Sequence, residues 1–251
     1  MEFEGRIAVV TGGASGIGAA CVRELEQRGA TAVSWDVGGE PNIACDVSDP
    51  ASIDAALRET IDRFGQPSIL VASAGVGGPV APIHEFPVDG WDRVVSVNLR
   101  GVFLSIRAVA ASMVEAGLDG ALVAISSVNG RIADPGQVAY SSTKAALYHL
   151  CRVAALDLGR YGIRVNGIGP GPTSTPMLRT LVETEGYVDE VKSVTPLGRL
   201  GTPELVAQSV ANVIASDWIT GQEIMVDGGS SLATARGAKR IAKMIEMERP
   251  R

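Results

Sequence analysis

The stretch RIAVVTGGASGIG, residues 6–18, decides the fold. Arg6 to Thr11 is a short apolar run of buried-strand type, and Ile17 to Arg28 carries apolar residues at helical spacing until Gly29 stops it. Between them lie glycines and small residues that allow a tight turn. Strand, turn, helix is the first unit, and the pattern recurs downstream. Thr31 to Trp35 reads as a strand, Ala51 to Phe64 as a helix behind Asp49-Pro50, and Ile69 to Ala72 as a strand. Trp91 to Ala116 is a long helix ended by Gly117. Ala121 to Ile125 and Arg164 to Ile168 are strands flanking a helix from about Gln137 to Tyr161, and a helix over Pro203 to Ala215 precedes a last strand, Glu223 to Val226. Strands alternating with helices predict a parallel α/β sheet of Rossmann type, doubly wound, with helices on both faces.

The turn also predicts a ligand. Where a strand hands over to a helix, glycines let backbone N–H groups and the helix N-terminus meet a pyrophosphate, and Gly12, Gly16 and Gly18 stand there. Asp36, 18 residues beyond Gly18 at the end of the second strand, is placed for its carboxylate to hold both ribose hydroxyls of an adenosine. A 2′-phosphate would be repelled, and neither Ser15 nor Val37 is basic, so the sequence predicts NAD rather than NADP.

Tyr140 and Lys144 stand at i and i+4, on one face of the helix that follows the 121–125 strand. A tyrosine is a poor base near neutrality because its ordinary pKa is about 10, but a neighbouring ammonium stabilises phenolate. Tyr140 could then take a proton from an alcohol. Such a pair is usually a surface contact, so its surroundings matter. Ser127 follows that strand, 13 residues before Tyr140, and strand carboxyl ends face the ligand crevice of a doubly wound sheet. Its hydroxyl could polarise a reacting carbonyl, whereas alternation points the adjacent Ser126 the other way.

Composition narrows the class. The 251 residues carry a net charge of -6 and no long Lys/Arg run, which argues against nucleic-acid or anionic-membrane partners. No stretch approaches the roughly 18 uninterrupted apolar residues of a spanning helix, and Met1-Glu2-Phe3-Glu4 does not open like a signal peptide. A cytoplasmic location is expected. Cys21, Cys45 and Cys151 form no Cys-x-x-Cys, and with two histidines, His84 and His149, no metal site is expected.

Thr11 to Gly18, Asp36, the Ser127, Tyr140 and Lys144 set, and Asn98 within Val97-Asn-Leu-Arg-Gly101 make this sequence resemble the short-chain dehydrogenase/reductase family over about residues 3–232. Cys45-Asp46-Val47, Gly75, Pro170-Gly171 with Thr173 and Thr175, and Val226-Asp227-Gly228-Gly229 extend the match. The resemblance implies a catalytic tetrad of Asn98, Ser127, Tyr140 and Lys144, in which Asn98 positions a water that links Lys144 to solvent. It implies a cofactor set of Gly12, Ser15, Gly16, Ile17 and Gly18 on the turn, with Asp36, and Asp46 and Val47 beside the adenine. Ala74, Gly75, Tyr140 and Lys144 belong to that set, as do Pro170, Gly171, Thr173 and Thr175 at the nicotinamide end, where Ile168 would press on the ring. It implies a homotetramer built on paired long helices.

Two features depart from the family. Ala72-Ser73 stands where relatives have two asparagines, which predicts weaker local sheet stability or cofactor affinity, with Ser73 keeping a hydrogen-bonding group. The chain also continues past Gly228-Gly229, so the expected division is a catalytic domain over 1–232 and a tail over 233–251, in which Ile241, Met244 and Ile245 fall at helical spacing.

The substrate side is expected in a lid over about 176–201, where Met177, Leu178, Leu181, Val182, Tyr187 and Val191 suggest an apolar pocket. Arg179, Glu183 and Glu185 read as a solvated face. His84, Arg131 and Gln137 are further candidates for substrate contact, and His149 for packing or solvent. The activity so predicted is hydride transfer between NAD and a secondary or cyclic alcohol, or a dihydrodiol. The alternatives are a 3-oxoacyl thioester reductase, against which Asp36 speaks, and a non-catalytic NAD-sensing scaffold, against which the four chemically matched groups speak.

Overall fold

Ile7–Thr11 (β1) and Thr31–Asp36 (β2) pair in parallel, as do β1 and Pro67–Ala72 (β4). Two-residue periodicity places the side chains. Val9 looks to one face of the sheet, where Leu70, Leu122 and Val165 also pack, while Ala8 and Val10 look to the other with Ile69, Val71 and Val123. Both faces are therefore apolar, as a parallel sheet covered on both sides requires. The structure, a computed structural model, describes residues 2–232. The tail with Ile241, Met244 and Ile245 lies outside the described residues.

Among the described residues seven strands form one parallel sheet in the order β3-β2-β1-β4-β5-β6-β7, with β3 at Ile43–Ala44, β5 at Gly120–Ile125, β6 at Ile163–Pro170 and β7 at Glu223–Val226. This is the doubly wound α/β architecture read from the sequence. Periodicity gives no signal for β3, which is two residues long. The chain winds outward from β1 in one direction and from β4 in the other, so a crevice opens above their carboxyl ends.

Helices Gly16–Gln27 (α1) and Pro203–Ala215 (α8) pack together on one face. Pro50–Phe64 (α2), Val102–Glu115 (α4) and Val138–Leu158 (α5) cover the other. Asp49 caps α2 through the Ala51 N–H and Thr202 caps α8 through the Leu205 N–H, each with proline at the first helical turn. The long helix expected over 91–116 runs from Val88–Val95 (α3) into α4 through a π-helical segment, Ser96–Gly101, that carries Asn98. The combined segment Val88–Glu115 is long and apolar enough to cross a membrane. Here that apolarity is used on the sheet, against which Val102, Ile106, Val109 and Met113 are buried, while Val94 is buried beside Gly78.

Candidate active site

The Gly-rich turn leaves β1 at Thr11, whose Oγ1 accepts from the main-chain N–H groups of Ser73 and Ala74, both at 3.1 Å. Thr11 thus stitches the ends of β1 and β4 together. The stitch uses the main chain of Ser73, not the side chain that the comparison with paired asparagines singled out. A Cβ on Gly12 would lie 2.8 Å from Ala74 Cα, and one on Gly18 would lie 2.0 Å from the Gly12 carbonyl oxygen. Only glycine lets the turn close this tightly. Ser15, the N-cap of α1, makes no side-chain capping bond, and the first turn of α1 holds no acidic residue. The helix start therefore offers its N–H groups and dipole toward the cleft, a cradle that fits a pyrophosphate.

Asp36 ends β2 at the same edge. Its Oδ2 accepts from Ala14 N–H (3.0 Å), and its Oδ1 from the N–H groups of Val37 (2.8 Å) and Gly38 (3.3 Å). The carboxylate is fixed at the lip of an open cleft of about 910 Å³. Asp46 and Val47 line the same cleft, with Asp46 Oδ1 accepting from both the N–H and the hydroxyl of Ser48. Gly12, Ser15, Gly16, Ile17 and Gly18 line it from the turn, Ala74 and Gly75 from the end of β4. Pro170, Gly171, Thr173 and Thr175 line it beyond β6. Apart from Ile168, the residues expected to meet the cofactor thus line one cleft. Ile168 is fully buried in the sheet and is not part of its wall.

Three of the four tetrad residues meet there. Ser127 Oγ accepts from the Asn129 N–H (3.1 Å) and faces Tyr140, whose phenolate its hydroxyl favours. Lys144, 4% exposed, donates from Nζ to the Ile125 carbonyl (2.8 Å) and lies 5.5 Å from the centroid of the Tyr140 ring. Ser126 turns the other way and donates to the Lys144 carbonyl (3.1 Å). Asn98 is fully buried behind the wall. Its Oδ1 accepts from Val76 N–H and its Nδ2 donates to Val76 O, both at 2.8 Å. A Cβ on Gly75 would lie 3.4 Å from Asn98 Oδ1 and 3.8 Å from Lys144 Nζ, so Gly75 is the point where the two approach.

Electrostatics qualify the spacing argument. Burial pushes the Tyr140 phenol above its ordinary range, and only the Ser127 hydroxyl pulls it down. The same burial brings the Lys144 ammonium down to about 8. The expected lowering of Tyr140 by Lys144 is therefore not the net result, because both groups sit where charge is poorly solvated.

The substrate end differs from the sequence reading in detail. Met177 and Leu178, in the turn Pro176–Leu178, line the cleft, as do Leu181 of Arg179–Val182 (α6) and Tyr187 of Tyr187–Val194 (α7). Val191 instead is buried inward, and Val182 lies off the cleft wall. Arg179, Glu183 and Glu185 are exposed, as expected. His84 is exposed beside Glu85 and His149 is exposed, both off the wall. Gln137 lines the cleft, but Arg131 turns away to Glu223 (2.9 Å). Asn129 and Asp134 also line it, joined by a 3.0 Å hydrogen bond, and were not legible because irregular loops carry no period. Arg93, exposed on α3, lines the cleft as well, and Tyr148 stands behind its wall, where its hydroxyl donates to the Ser127 carbonyl. The signal for Tyr148 lay in its spacing, one turn beyond Lys144 on the face that carries Tyr140.

Residues 12–231 match a family model described as enoyl-(acyl carrier protein) reductase. The chain is 38% identical to cis-4-hydroxycyclohexanecarboxylate dehydrogenase of Sinomonas cyclohexanicum, over 90% of this chain and 97% of that one. It is 36% identical to short-chain dehydrogenase reductase 5 of Arabidopsis thaliana, over 92% and 96%. Its fold matches a gluconate 5-dehydrogenase from Burkholderia cenocepacia, solved with NADP and tartrate, at a TM-score of 0.87 and 34% identity, over 92% of this chain and 97% of that one. The match over residues 12–231 and relatives at 36–38% identity along nearly their whole length agree with the glycine turn and the serine, tyrosine and buried lysine of the cleft: the chain belongs to the short-chain dehydrogenase/reductase family of oxidoreductases.

Proposed function

We propose that this chain is an NAD-dependent oxidoreductase that interconverts a secondary or cyclic alcohol, or a dihydrodiol, and its ketone. The observation that carries the reading is the convergence of Ser127, Tyr140 and Lys144 on the wall of one cleft, with Lys144 buried one helical turn beyond Tyr140 and 5.5 Å from its ring. NAD, when bound, supplies the hydride acceptor. Gly12, Ser15, Gly16, Ile17 and Gly18 would hold its pyrophosphate, Asp36 its adenosine ribose, Asp46 and Val47 its adenine. Ala74, Gly75, Lys144 and the Pro170, Gly171, Thr173 and Thr175 group would hold the nicotinamide end.

Tyr140 takes the hydroxyl proton as the C–H bond breaks, and Ser127 donates to the substrate oxygen as its negative charge develops. Lys144, when protonated, favours the phenolate of Tyr140 by charge. Asn98 acts from behind the wall by fixing Val76 and, with it, the edge of the site. Because Tyr140 must lose its proton while Lys144 keeps its own, oxidation rises with pH up to about 8, where Lys144 begins to lose its charge. Asp36 supports NAD over NADP: its carboxylate is fixed by three N–H donors, and Arg93 and Lys144, the basic residues of the described wall, lie away from it in sequence. The cyclohexane ring in the name of one relative's substrate supports a cyclic alcohol. A second reading is reduction of a 3-oxoacyl thioester, favoured by the likeness to a 3-ketoacyl-(acyl-carrier-protein) reductase solved with NADH, and it would show as activity on a 3-oxoacyl thioester with NADH or NADPH. The proposal includes a catalytic domain over 1–232 with a lid over 176–201, a cytoplasmic location and a homotetramer.

The test is the 340 nm absorbance change when protein and NAD meet aliphatic, cyclic, aromatic and dihydrodiol alcohols. Tyr140→Phe should lose about 10²–10⁴-fold in kcat, far more than any change in its NAD affinity. Asp36→Ala should raise use of NADP relative to NAD. Near-normal turnover by Tyr140→Phe overturns the mechanism, and tight NAD binding without turnover of any alcohol or carbonyl would favour a scaffold.

A further inference from the structure

Tyr148 stands at i+8 from Tyr140 and i+4 from Lys144, so one face of α5 carries all three. Its hydroxyl donates to the main-chain carbonyl of Ser127, which also accepts from the Gly130 N–H (3.0 Å). The ring is packed tightly into this place. A Cβ on Gly130 would lie 2.5 Å from Tyr148 Cε2, and one on Gly169 would lie 3.4 Å from the Tyr148 hydroxyl. On a further side the Arg131 guanidinium sits 5.8 Å from the ring centroid. Arg131 in turn is held by Glu223 of β7, Nε to Oε2 at 2.9 Å. The other Glu223 oxygen, Oε1, is buried with no hydrogen-bond partner among the described residues. Burial holds the Glu223 carboxyl up to about 7 even with Arg131 beside it. Such an arrangement costs stability rather than adding to it, which points to a role beyond packing.

We propose that Tyr148 is a positioning residue for Ser127, anchored from behind by the Arg131–Glu223 pair, so that the Ser127 hydroxyl is held toward Tyr140. The inference rests on the reading of Ser127 as the group that meets the substrate oxygen. Ser127 begins a loop, and its Oγ orientation depends on where its own carbonyl is tied. The Gly130 N–H belongs to the same loop and moves with it, whereas Tyr148 belongs to a 21-residue helix and ties it to something rigid. A hydroxyl placed a fraction of an ångström off its productive position weakens a bond formed to developing charge.

The test is a double-mutant cycle on Ser127→Ala and Tyr148→Phe, read as kcat and KM, together with amide hydrogen exchange at Asn129, whose N–H is donated to Ser127 Oγ. Tyr148→Phe keeps the ring and removes only the hydroxyl. It should lower kcat about tenfold with KM and NAD affinity within twofold, change kcat less than twofold in the Ser127→Ala background, and speed exchange at Asn129 several-fold. Equal losses in both backgrounds, or unchanged exchange at Asn129, overturn the proposal. If Ser127→Ala is inactive and Tyr148→Phe is normal, this inference alone fails. If Ser127→Ala is itself normal, the reading of Ser127 fails and takes the inference with it. Should Tyr148→Phe fold poorly, Glu223→Gln releases the same anchor from its far end and should give a smaller loss of kcat, again absent in the Ser127→Ala background.

Discussion

Lys144 is a cation in a place that disfavours cations. Its burial brings the ammonium down to about 8, from 10.5 in an unfolded chain. Between those values the unfolded chain binds more protons than the folded one, so this group makes the protein more stable as pH rises through the window. Below pH 8 both states are protonated and the full cost of the buried charge is present. Cys21 and Cys151, both pushed up to about 12 by burial, act in the opposite sense and lose stability as pH rises past their unfolded value of 9. The measurable quantity is therefore the difference between wild type and Lys144→Met, which removes the titration and keeps an apolar side chain of similar length. The melting temperature of wild type minus that of the variant should rise by several degrees from pH 7 to 10, since the shift corresponds to about 3 kcal/mol. A flat difference would mean that the ammonium is solvated. The same residue shows what a sequence conveys: helical spacing placed Lys144 beside Tyr140, but the direction of both pKa shifts depends on how deeply α5 is packed.

At the scale of elements, the glycine turn was legible because its chemistry is written in residue type, and the strands because alternation and turn residues mark them. The π-helical segment at Asn98 was not, since a register change inside an apolar helix leaves the 3.6 period nearly intact. The lid was half legible: helices as short as Arg179–Val182 give too few turns to say which apolar residue faces inward, and Val191 and Met177 part company there. Asp134 and Asn129 lie on a loop whose path is set by tertiary packing. Where the turn is legible it is also testable. A Cβ on Gly18 would sit 2.0 Å from the Gly12 carbonyl oxygen, whereas one on Gly38, just past Asp36, would meet nothing within 4 Å. Gly18→Ala should weaken NAD binding by tenfold or more and lower the melting temperature, while Gly38→Ala should change the melting temperature little. Calorimetric titration of NAD and a thermal melt of each variant decide it. Equal behaviour of the two would mean that the turn can relax without moving the helix start.

For the whole molecule, the question is what covers the apolar surface that one copy leaves open. Single exposed apolar residues are ordinary, and many here border the cleft and the lid, but some lie away from the cleft, on α4 and α5 and beside β7. On α4, Phe103 (48% exposed) shares an exposed stripe with Arg107 and Ala111, and on α5 Leu156 (83% exposed) shares one with Val153 and Asp157. The stripes lie on helices that both cover one side of the sheet, and Arg107 and Asp157 offer opposite charges to a second copy. The second face lies at the sheet edge. There β7 pairs only with β6 among the described strands, and Trp218, wholly exposed, stands shortly before it. A self-complementary face gives a dimer about a two-fold axis, and two independent faces of that kind give a closed tetramer with dihedral symmetry. The proposed homotetramer therefore makes a stepwise prediction. In light scattering after size exclusion, wild type should run at four times the protomer mass. Leu156→Glu should run at twice that mass by losing the helix face, Trp218→Glu likewise by losing the edge, and the double variant should be monomeric. A tetrameric double variant would show that neither face carries the assembly. A monomeric Leu156→Glu would show that the edge cannot hold two copies unless the helices are already paired.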